Sequence, residues 1–318
     1  MKSVRQAVGA ALGVAALTLL ILPAGAPGAP APSGPRLAVT KETWKPHRVK
    51  LLTVGPRGEA PARLAGGQEN GGPVEGFGPL SWRADGSEIA FTGLLSLFLA
   101  AVGGGVEEIN AAGAEWPVFS PDGHTIAFTR EEPRGEAIWT IDLETWEQRQ
   151  LTPSRPGLTY LASSFSPDGT TLLATRAVGR RRPAEPMALD LATGKATRLL
   201  ADGLQPVYSP DGSKVAFFRK VGRRDFNDLF VLDLASHKLR RLTRTDPGYE
   251  LFASWDPSGE RIAFIRYRGR HFEWANSVVQ INADGTCETE IFPRKPRTIY
   301  GGTAWQPGAG REAGRIRC

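Results

Sequence analysis

The residue types best suited to catalysis or metal binding are few and widely separated in this sequence. The four histidines are His47, His124, His237 and His271. None of them belongs to a His-Glu-x-x-His zinc motif, and the chain has no Gly-x-Ser-x-Gly nucleophile elbow and no Gly-x-x-x-x-Gly-Lys-Ser/Thr phosphate loop. The sequence therefore predicts no catalytic residue, no cofactor and no histidine-based metal site.

The composition narrows the fold class before any repeat is considered. With 37 glycines and 25 prolines among 318 residues, the chain is rich in residues that break helices and form turns, which disfavours a mainly helical protein. Only two cysteines are present, Cys287 and Cys318, so a dense disulfide framework and a cysteine-based zinc ribbon are excluded.

The N-terminal segment has the order of features typical of an export signal. Lys2 and Arg5 precede an uncharged, mostly apolar run over residues 7–22, after which small residues offer a cleavage site. We therefore predict a signal peptide over residues 1–26 and a periplasmic or extracellular location. An uncleaved N-terminal membrane anchor is the alternative. The segment 27–44 is predicted to be a flexible tether.

One short motif recurs through the rest of the chain. It consists of an aromatic residue, a polar residue, Pro-Asp-Gly, two variable residues and Ile/Val-Ala-Phe, with substitutions in some copies. Its aromatic positions are Trp82, Phe119, Phe165, Tyr208, Trp255 and Trp305. Their spacings of 37, 46, 43, 47 and 50 residues are close to the period of a four-stranded propeller blade.

The centre of the motif is a turn between two strands. Pro presets the backbone, Asp accepts local backbone hydrogen bonds, and Gly takes the left-handed conformation that lets the strands pair. The residues assigned to this structural turn motif are Asp85, Gly86, Pro121, Asp122, Gly123, Pro167, Asp168, Gly169, Pro210, Asp211, Gly212, Pro257 and Gly259.

Each repeat also contains a second pair of strands. We label the strands of a blade A to D from the channel outwards; Asp142 and Asp233 then open C–D turns, where an Asx-turn is favoured over a metal ligand. Residues 49–54 and 62–65 resemble a C–D pair that lacks its A–B pair. The chain after Trp305, with a possible short B strand at residues 314–318, would complete that blade. The prediction is an all-β, six-bladed propeller of four-stranded blades over residues 45–318, its last blade shared between the two ends.

These motifs carry a family resemblance. The phrase Phe-Ser-Pro-Asp-Gly-x-x-Ile-Ala-Phe, followed by Leu-Phe-Val-Leu-Asp-Leu and Arg-x-Leu-Thr strands, resembles the WD40-like repeat of the TolB-type six-bladed propeller. TolB proteins carry an additional α/β domain before the propeller, which this chain is expected to lack. The related peptidases carry a C-terminal hydrolase domain, whereas this chain ends at its last predicted blade. The resemblance is specific for fold and weak for function, because one fold hosts many activities.

The blade assignment defines two faces. The A–B and C–D turns open on one, the turn face, and the B–C loops and D–A connections open on the other, the loop face. His124 and His237 fall on the turn face and His271 on the loop face, which argues against a joint metal site. Three glutamates, Glu75, Glu115 and Glu250, fall near the starts of A strands. We interpret them as solvated loop ends, with a carboxylate-bound channel Ca²⁺ as the alternative.

The two cysteines could form a disulfide in an oxidising compartment. The blade assignment argues against it, because Cys287 falls near the outer C–D side of the fifth blade and Cys318 at the end of a B strand in the next. Bonding requires Cα atoms within about 7 Å.

The positive charge of the chain is concentrated on the loop face. The net charge of +6 falls to +4 without Lys2 and Arg5, yet twelve cations fall in neighbouring loops of this one face. They are Arg180, Arg181, Arg182, Lys220, Arg223, Arg224, Arg266, Arg268, Arg270, Arg294, Lys295 and Arg297. Such a patch attracts acidic partners, although arginine-rich loops are also often simply solvated.

Two functions from different classes follow. The first is a non-enzymatic, TolB-like interaction module of the cell envelope that binds an acidic protein partner at the basic face or channel mouth. An anionic polysaccharide or a lipid headgroup is a possible partner, whereas nucleic acid fits poorly with export. The alternative is a propeller lyase or hydrolase acting on an anionic sugar or lactone with a channel-bound divalent metal.

Overall fold

The computed structural model describes residues 36–44, 48–67, 78–93, 96–179, 183–222, 226–245, 247–268, 275–308 and 314–318. The predicted signal peptide, residues 1–26, lies outside them. Among the described residues, no helix is both long and apolar enough to cross a membrane.

The described residues form 24 strands. One sheet, the shared sheet, contains β1 (Leu37–Thr43), β2 (Arg48–Val54), β3 (Ala62–Gly67) and β24 (Thr298–Trp305). The next contains β4 (Ser81–Trp82), β5 (Glu88–Gly93), β6 (Ser96–Ala101) and β7 (Val106–Ile109). A third sheet contains β16 (Leu204–Tyr208), β17 (Lys214–Lys220), β18 (Asn227–Asp233) and β19 (Leu239–Arg241). A fourth contains β20 (Gly248–Trp255), β21 (Arg261–Arg268), β22 (Ser277–Asn282) and β23 (Thr289–Phe292).

The remaining strands form an eight-stranded sheet. It contains β8 (Ala114–Phe119), β9 (Thr125–Glu132), β10 (Gly135–Asp142), β11 (Gln148–Gln150), β12 (Leu158–Phe165), β13 (Thr171–Val178), β14 (Glu185–Asp190) and β15 (Ala196–Arg198). It consists of two antiparallel four-stranded meanders joined by one parallel pair, Glu136 with Thr159. The other pairs in all the sheets are antiparallel, as expected for strands joined by tight turns.

The innermost strands close a ring. They contact one another in the order β4, β8, β12, β16, β20 and β24, and β24 returns to β4. Closure places a neighbouring sheet against each face of every sheet, so the sheets of the described residues keep only their short outer strands as edges. The chain is therefore an all-β propeller with four-stranded blades.

The Ile-Ala-Phe strands form the core between neighbouring sheets. Phe91, Phe128, Phe217 and Phe264 are almost completely buried, and each lies on the second strand of its meander. Successive side chains of a strand point to opposite faces, and both faces here are covered by a neighbouring sheet, so these strands are apolar without alternation. Burying one such phenylalanine contributes about 1.5–3 kcal/mol.

The shared sheet corrects two sequence-based predictions. The segment predicted as a tether contains strand β1, which pairs with β2 on one side and with β24 on the other. Residues 314–318 form no strand, so the predicted B strand at the C-terminus is wrong. The shared sheet thus takes three strands from the N-terminal side and one from the C-terminal side. The Leu-Ala-Val-Thr start of β1 is buried on both faces, so it lacks the polar alternation that would have marked it as a strand.

Candidate functional site

The turn face is built from the repeated Pro-Asp-Gly turns. In the β8–β9 turn, the Ser120 hydroxyl donates to Asp122 Oδ1, which also accepts the His124 N–H at 3.0 Å, and the Gly123 N–H donates to the Ser120 carbonyl. The same arrangement recurs in the turns that contain Asp168 and Asp211. These interactions confirm that the repeated aspartates are turn residues.

The C–D aspartates are also turn residues. Asp142 Oδ1 accepts the N–H groups of Glu144 and Thr145, at 3.0 and 2.7 Å, and Asp233 Oδ1 accepts that of Ser236 at 2.8 Å. The predicted Asx-turns are confirmed, and these carboxylates serve local backbone structure.

Acid should destabilise the protein through these turns. The pKa of Asp211 is lowered from 3.8 to about 2, chiefly by the Ser209 hydroxyl, and that of Asp168 is also lowered to about 2, chiefly by Ser166. A carboxylate with a lowered pKa stabilises the folded state above its unfolded pKa, so this contribution is lost as the pH falls from about 4 to about 2. We expect urea-unfolding free energies to fall across that window, and less steeply for Asp211→Asn.

The control for this experiment is Glu144→Gln, which changes an exposed carboxylate. It should leave the pH dependence as it is in the wild type. An Asp211→Asn protein with the wild-type slope between pH 4 and 2 would show that the turn aspartates do not carry the effect.

A shallow groove on the turn face separates the two meanders of the eight-stranded sheet. Its volume is about 490 Å³, and its lining includes Asp122, Arg149 and Asp168. Both carboxylates are already engaged in their turns, and Arg149 contacts the Leu191 carbonyl at 3.4 Å. The polar groups of this groove therefore mainly hold the turns.

On the loop face, half of the twelve predicted cations can be located. Arg180, Arg181, Arg182, Arg223, Arg224 and Arg270 lie outside the described residues. Lys220 and Arg268 are exposed at the ends of β17 and β21, and Arg294, Lys295 and Arg297 are exposed in the connection between β23 and β24. These five cations therefore lie at strand ends or in a connection of neighbouring sheets. Arg268 lies 3.9 Å from Glu290.

Arg266 is not an exposed cation of this face. Its side chain is only 2% exposed, and its guanidinium donates to Glu250 Oε1 from Nε at 2.9 Å and from Nη2 at 2.7 Å. It also donates to both carboxylate oxygens of Glu288. Burial lowers its pKa, but the hydrogen bonds and charges of Glu288 and Glu250 outweigh burial and hold the pKa above its ordinary value.

Glu250 was expected to be a solvated loop end, and that prediction is wrong. Its side chain is fully buried, and besides Arg266 it accepts hydrogen bonds from the hydroxyls of Thr243 and Thr245 and from the Leu229 N–H. Burial raises the pKa of Glu250, and Arg266 and the two hydroxyls oppose that rise. Because Leu229 belongs to β18, the cluster joins the β16–β19 blade to the β20–β23 blade.

A sequence signal for Arg266 exists within the repeat itself. An arginine follows the phenylalanine of Ile/Val-Ala-Phe by two residues in three copies, and its guanidinium lies over that ring. The ring distances are 5.1 Å for Arg130 on Phe128, 5.3 Å for Arg219 on Phe217 and 5.2 Å for Arg266 on Phe264. Arginine at this position packs on an aromatic ring between blades.

The channel is crossed by two aromatic side chains. Trp116 on β8 and Phe252 on β20, strands that are not neighbours in the ring, have ring centroids 5.8 Å apart. Both residues have a positive φ, and Gln205 Oε1 accepts the Phe252 N–H at 2.8 Å. Contact between strands on opposite sides of the ring means that these side chains fill the middle of the channel at this level.

The histidines and glutamates considered as ligands are not brought together within the described residues. His124 and His237 lie in separate turns of the turn face, while His47, His271 and Glu75 lie outside the described residues. Across the described part of the chain, no three His, Cys, Asp or Glu side chains are close enough to hold a metal ion.

Lys295, one of the predicted cations, lies near two lysines of the shared sheet that the sequence analysis did not consider. Lys41 on β1 is paired in register with Lys50 on β2, and Lys295 lies just before β24, the other neighbour of β1. Burial lowers the pKa of Lys41, and so does the charge of Lys295 and of Lys50. We call these residues the lysine cluster. Sequence reasoning placed only Lys295 on the loop face, because strand β1 had not been recognised.

A disulfide joins Cys287 to Cys318, with Cα atoms 5.1 Å apart. The sequence-based argument against this bond is wrong, because it assumed a B strand at the C-terminus. Instead the tail crosses the β22–β23 turn, where Asn282 exchanges two hydrogen bonds with the Ile316 backbone and Arg315 pairs with Asp284.

Solved structures show the same fold. TolB of Acinetobacter baumannii matches with a TM-score of 0.72 and 20% identity, over 86% of this chain and 67% of that chain. The proposed TolB of Agrobacterium tumefaciens matches with a TM-score of 0.64 and 18% identity, and the match covers 86% of this chain and 100% of that chain. An oligogalacturonate lyase of Vibrio parahaemolyticus is less similar, with a TM-score of 0.50 and 15% identity. That match covers 81% of this chain and 74% of that chain.

The sequence matches no protein-family model and no curated protein. The chain therefore has a TolB-like β-propeller fold, as the repeats predicted, and these identities carry the comparison no further than the fold.

Proposed function

We propose that this chain is an exported, non-enzymatic interaction module of the cell envelope, with a six-bladed, TolB-like propeller that binds an acidic protein partner through its loop face. Export rests on the predicted signal peptide. The blade count rests on treating the eight-stranded sheet as two blades, which its single parallel bridge supports.

The observation that carries the proposal is the exposed charge on the loop face. Five cations are exposed at strand ends or in a connection of neighbouring sheets, namely Lys220, Arg268, Arg294, Lys295 and Arg297. Lys41 and Lys50 extend this positive region into the shared sheet. A surface of one sign raises the local concentration of oppositely charged partners and speeds their association.

Two contacts favour binding over catalysis in the channel. Glu250, one of three carboxylates considered for a channel metal, is held by Arg266 and two threonines. The Trp116–Phe252 contact also fills the middle of the channel, which leaves less room there for a substrate.

Reversing the exposed charges should abolish partner binding. The variant Arg294→Glu/Arg297→Glu replaces two positive charges on the β23–β24 connection by two negative ones. We expect capture of a protein partner from an envelope extract to fall at least about tenfold, because like charges across an interface repel. Capture by the wild type should also weaken as salt rises, since screening shortens the range of these charges.

The matched control is Lys195→Glu/Lys238→Glu, which reverses two exposed cations in C–D turns of the opposite face. It should capture the partner as the wild type does. Equal capture by the loop-face variant and the wild type would refute the proposed function.

A further inference from the structure

We propose that the lysine cluster, Lys41, Lys50 and Lys295, is the subsite that anchors the carboxylates of an acidic peptide segment. This inference rests on the proposed function, since it names the place on the loop face that holds the acidic partner and the chemistry that it recognises.

The strand register directs two of the lysines to the same side. Lys41 is two residues from Val39, and Lys50 is two residues from Leu52, so each pair shares a face of its strand. Val39 and Leu52 both pack in the core cluster formed with the β20–β23 blade. The side chains of Lys41 and Lys50 therefore project from the shared sheet towards that blade. They start from adjacent strands, which are spaced about 5 Å apart.

The third lysine enters from a separate segment. Lys295 lies in the connection that leads into β24, where its carbonyl accepts the Thr298 N–H at 3.1 Å. Strand β24 pairs with β1, with Tyr300 opposite Lys41. Two adjacent strands of one hairpin and a segment about 250 residues later thus form one positive cluster at the loop-face end of the sheet.

Nothing described in the protein neutralises this cluster. No carboxylate of the described residues forms an ion pair with any of the three lysines, and the charges that lower the pKa of Lys41 are those of the other two. Like charges placed opposite each other on neighbouring strands destabilise a sheet. Local arrangements that oppose folding in this way are expected at functional sites.

The position of the cluster favours a peptide as the occupant. Lys41 and Lys50 are only partly exposed and lie at the side of a sheet that faces another blade. A flat lipid surface would meet the exposed Arg294 and Arg297 first, whereas an acidic side chain on an extended segment is narrow enough to reach the partly exposed Lys41 and Lys50. Carboxylates also form strong charge-assisted hydrogen bonds with ammonium groups.

The test measures binding of a fluorescently labelled hexaglutamate peptide to the purified chain. For Lys41→Gln/Lys50→Gln we expect binding at least about tenfold weaker than for the wild type, because two of the three anchoring charges are gone. The melting temperature of the same variant without peptide should rise by about 1–3 °C, because the like-charge repulsion is relieved. The control is Lys195→Gln/Lys238→Gln, which should change neither quantity.

Several outcomes would overturn the inference. One is wild-type affinity in Lys41→Gln/Lys50→Gln, and another is a lower melting temperature in that variant. Inorganic phosphate that binds as tightly as the peptide would indicate a general anion site. Phosphatidylglycerol vesicles that bind while the peptide does not would indicate a lipid site.

Partner capture by the two variants distinguishes a failure of this inference from a failure of the proposed function. If Arg294→Glu/Arg297→Glu loses partner capture while Lys41→Gln/Lys50→Gln keeps it, the loop face binds the partner without the lysine cluster. If both variants capture the partner normally, the proposed function itself fails.

Discussion

The Arg266→Met variant is expected to lose about 3–5 kcal/mol of unfolding free energy, the cost of leaving a buried charge without its partner. Glu250 is fully buried, and Arg266 donates two hydrogen bonds to one of its oxygens. Methionine fills part of the same volume but donates nothing, so the carboxylate would have to be protonated or remain charged in a poorly solvated site. Urea unfolding followed by fluorescence measures the change.

A second variant separates the charge from the packing. Glu250→Gln/Arg266→Met removes both charges, and it should recover a substantial part of the stability lost in Arg266→Met. The matched control is Arg268→Met, since Arg268 is well exposed and 3.9 Å from Glu290. It should change stability by no more than about 1 kcal/mol. Equal losses for Arg266→Met and Arg268→Met would mean that the buried pair contributes no more than an exposed one.

Loss of the Cys287–Cys318 bond is expected to cost about 2–4 kcal/mol of unfolding free energy, because the bond restricts the unfolded chain over a separation of 31 residues. The change is Cys287→Ser/Cys318→Ser, which keeps the size of both side chains. Asn282 and Asp284 contact the same tail, so the tail should also become more susceptible to protease. Urea unfolding and limited proteolysis measure these effects.

Reduction of the wild type provides the control for the cysteine variant. The reduced wild type and Cys287→Ser/Cys318→Ser should have the same stability, because both lack only the covalent link. A thiol assay on the unfolded, unreduced protein should find no free thiol. Two free thiols, or a variant as stable as the oxidised wild type, would contradict the role assigned to this bond.

The difference between the correct and incorrect predictions follows the range of the interactions. The Pro-Asp-Gly turns and the Asx-turns at Asp142 and Asp233 were predicted correctly, because their hydrogen bonds join residues two to five positions apart. The blade-like strand period followed from the same repeats. Such features depend on local backbone geometry, which neighbouring residues encode.

Strand β1 could not be predicted from the local sequence pattern. Its pairing with β24 joins residues about 260 positions apart. Its burial on both faces removes the alternation that marks a strand. The disulfide was misjudged for the same reason, since the path of the C-terminal tail depends on which strands complete the shared sheet.

By itself, the sequence determined the repeated turn, the all-β propeller class and the surplus of positive charge on one set of loops. Only the tertiary structure decided which charges are used internally and which remain exposed. Arg266 belongs to the same loop-face group as Arg268 in the sequence, yet burial against Glu250 removes it from the surface. Lys41 and Lys50, unremarked in the sequence, join Lys295 through the strand register. The physical reason is that a side chain's partners are set by strand order and by the packing of one blade on the next, and neither is encoded within a single repeat.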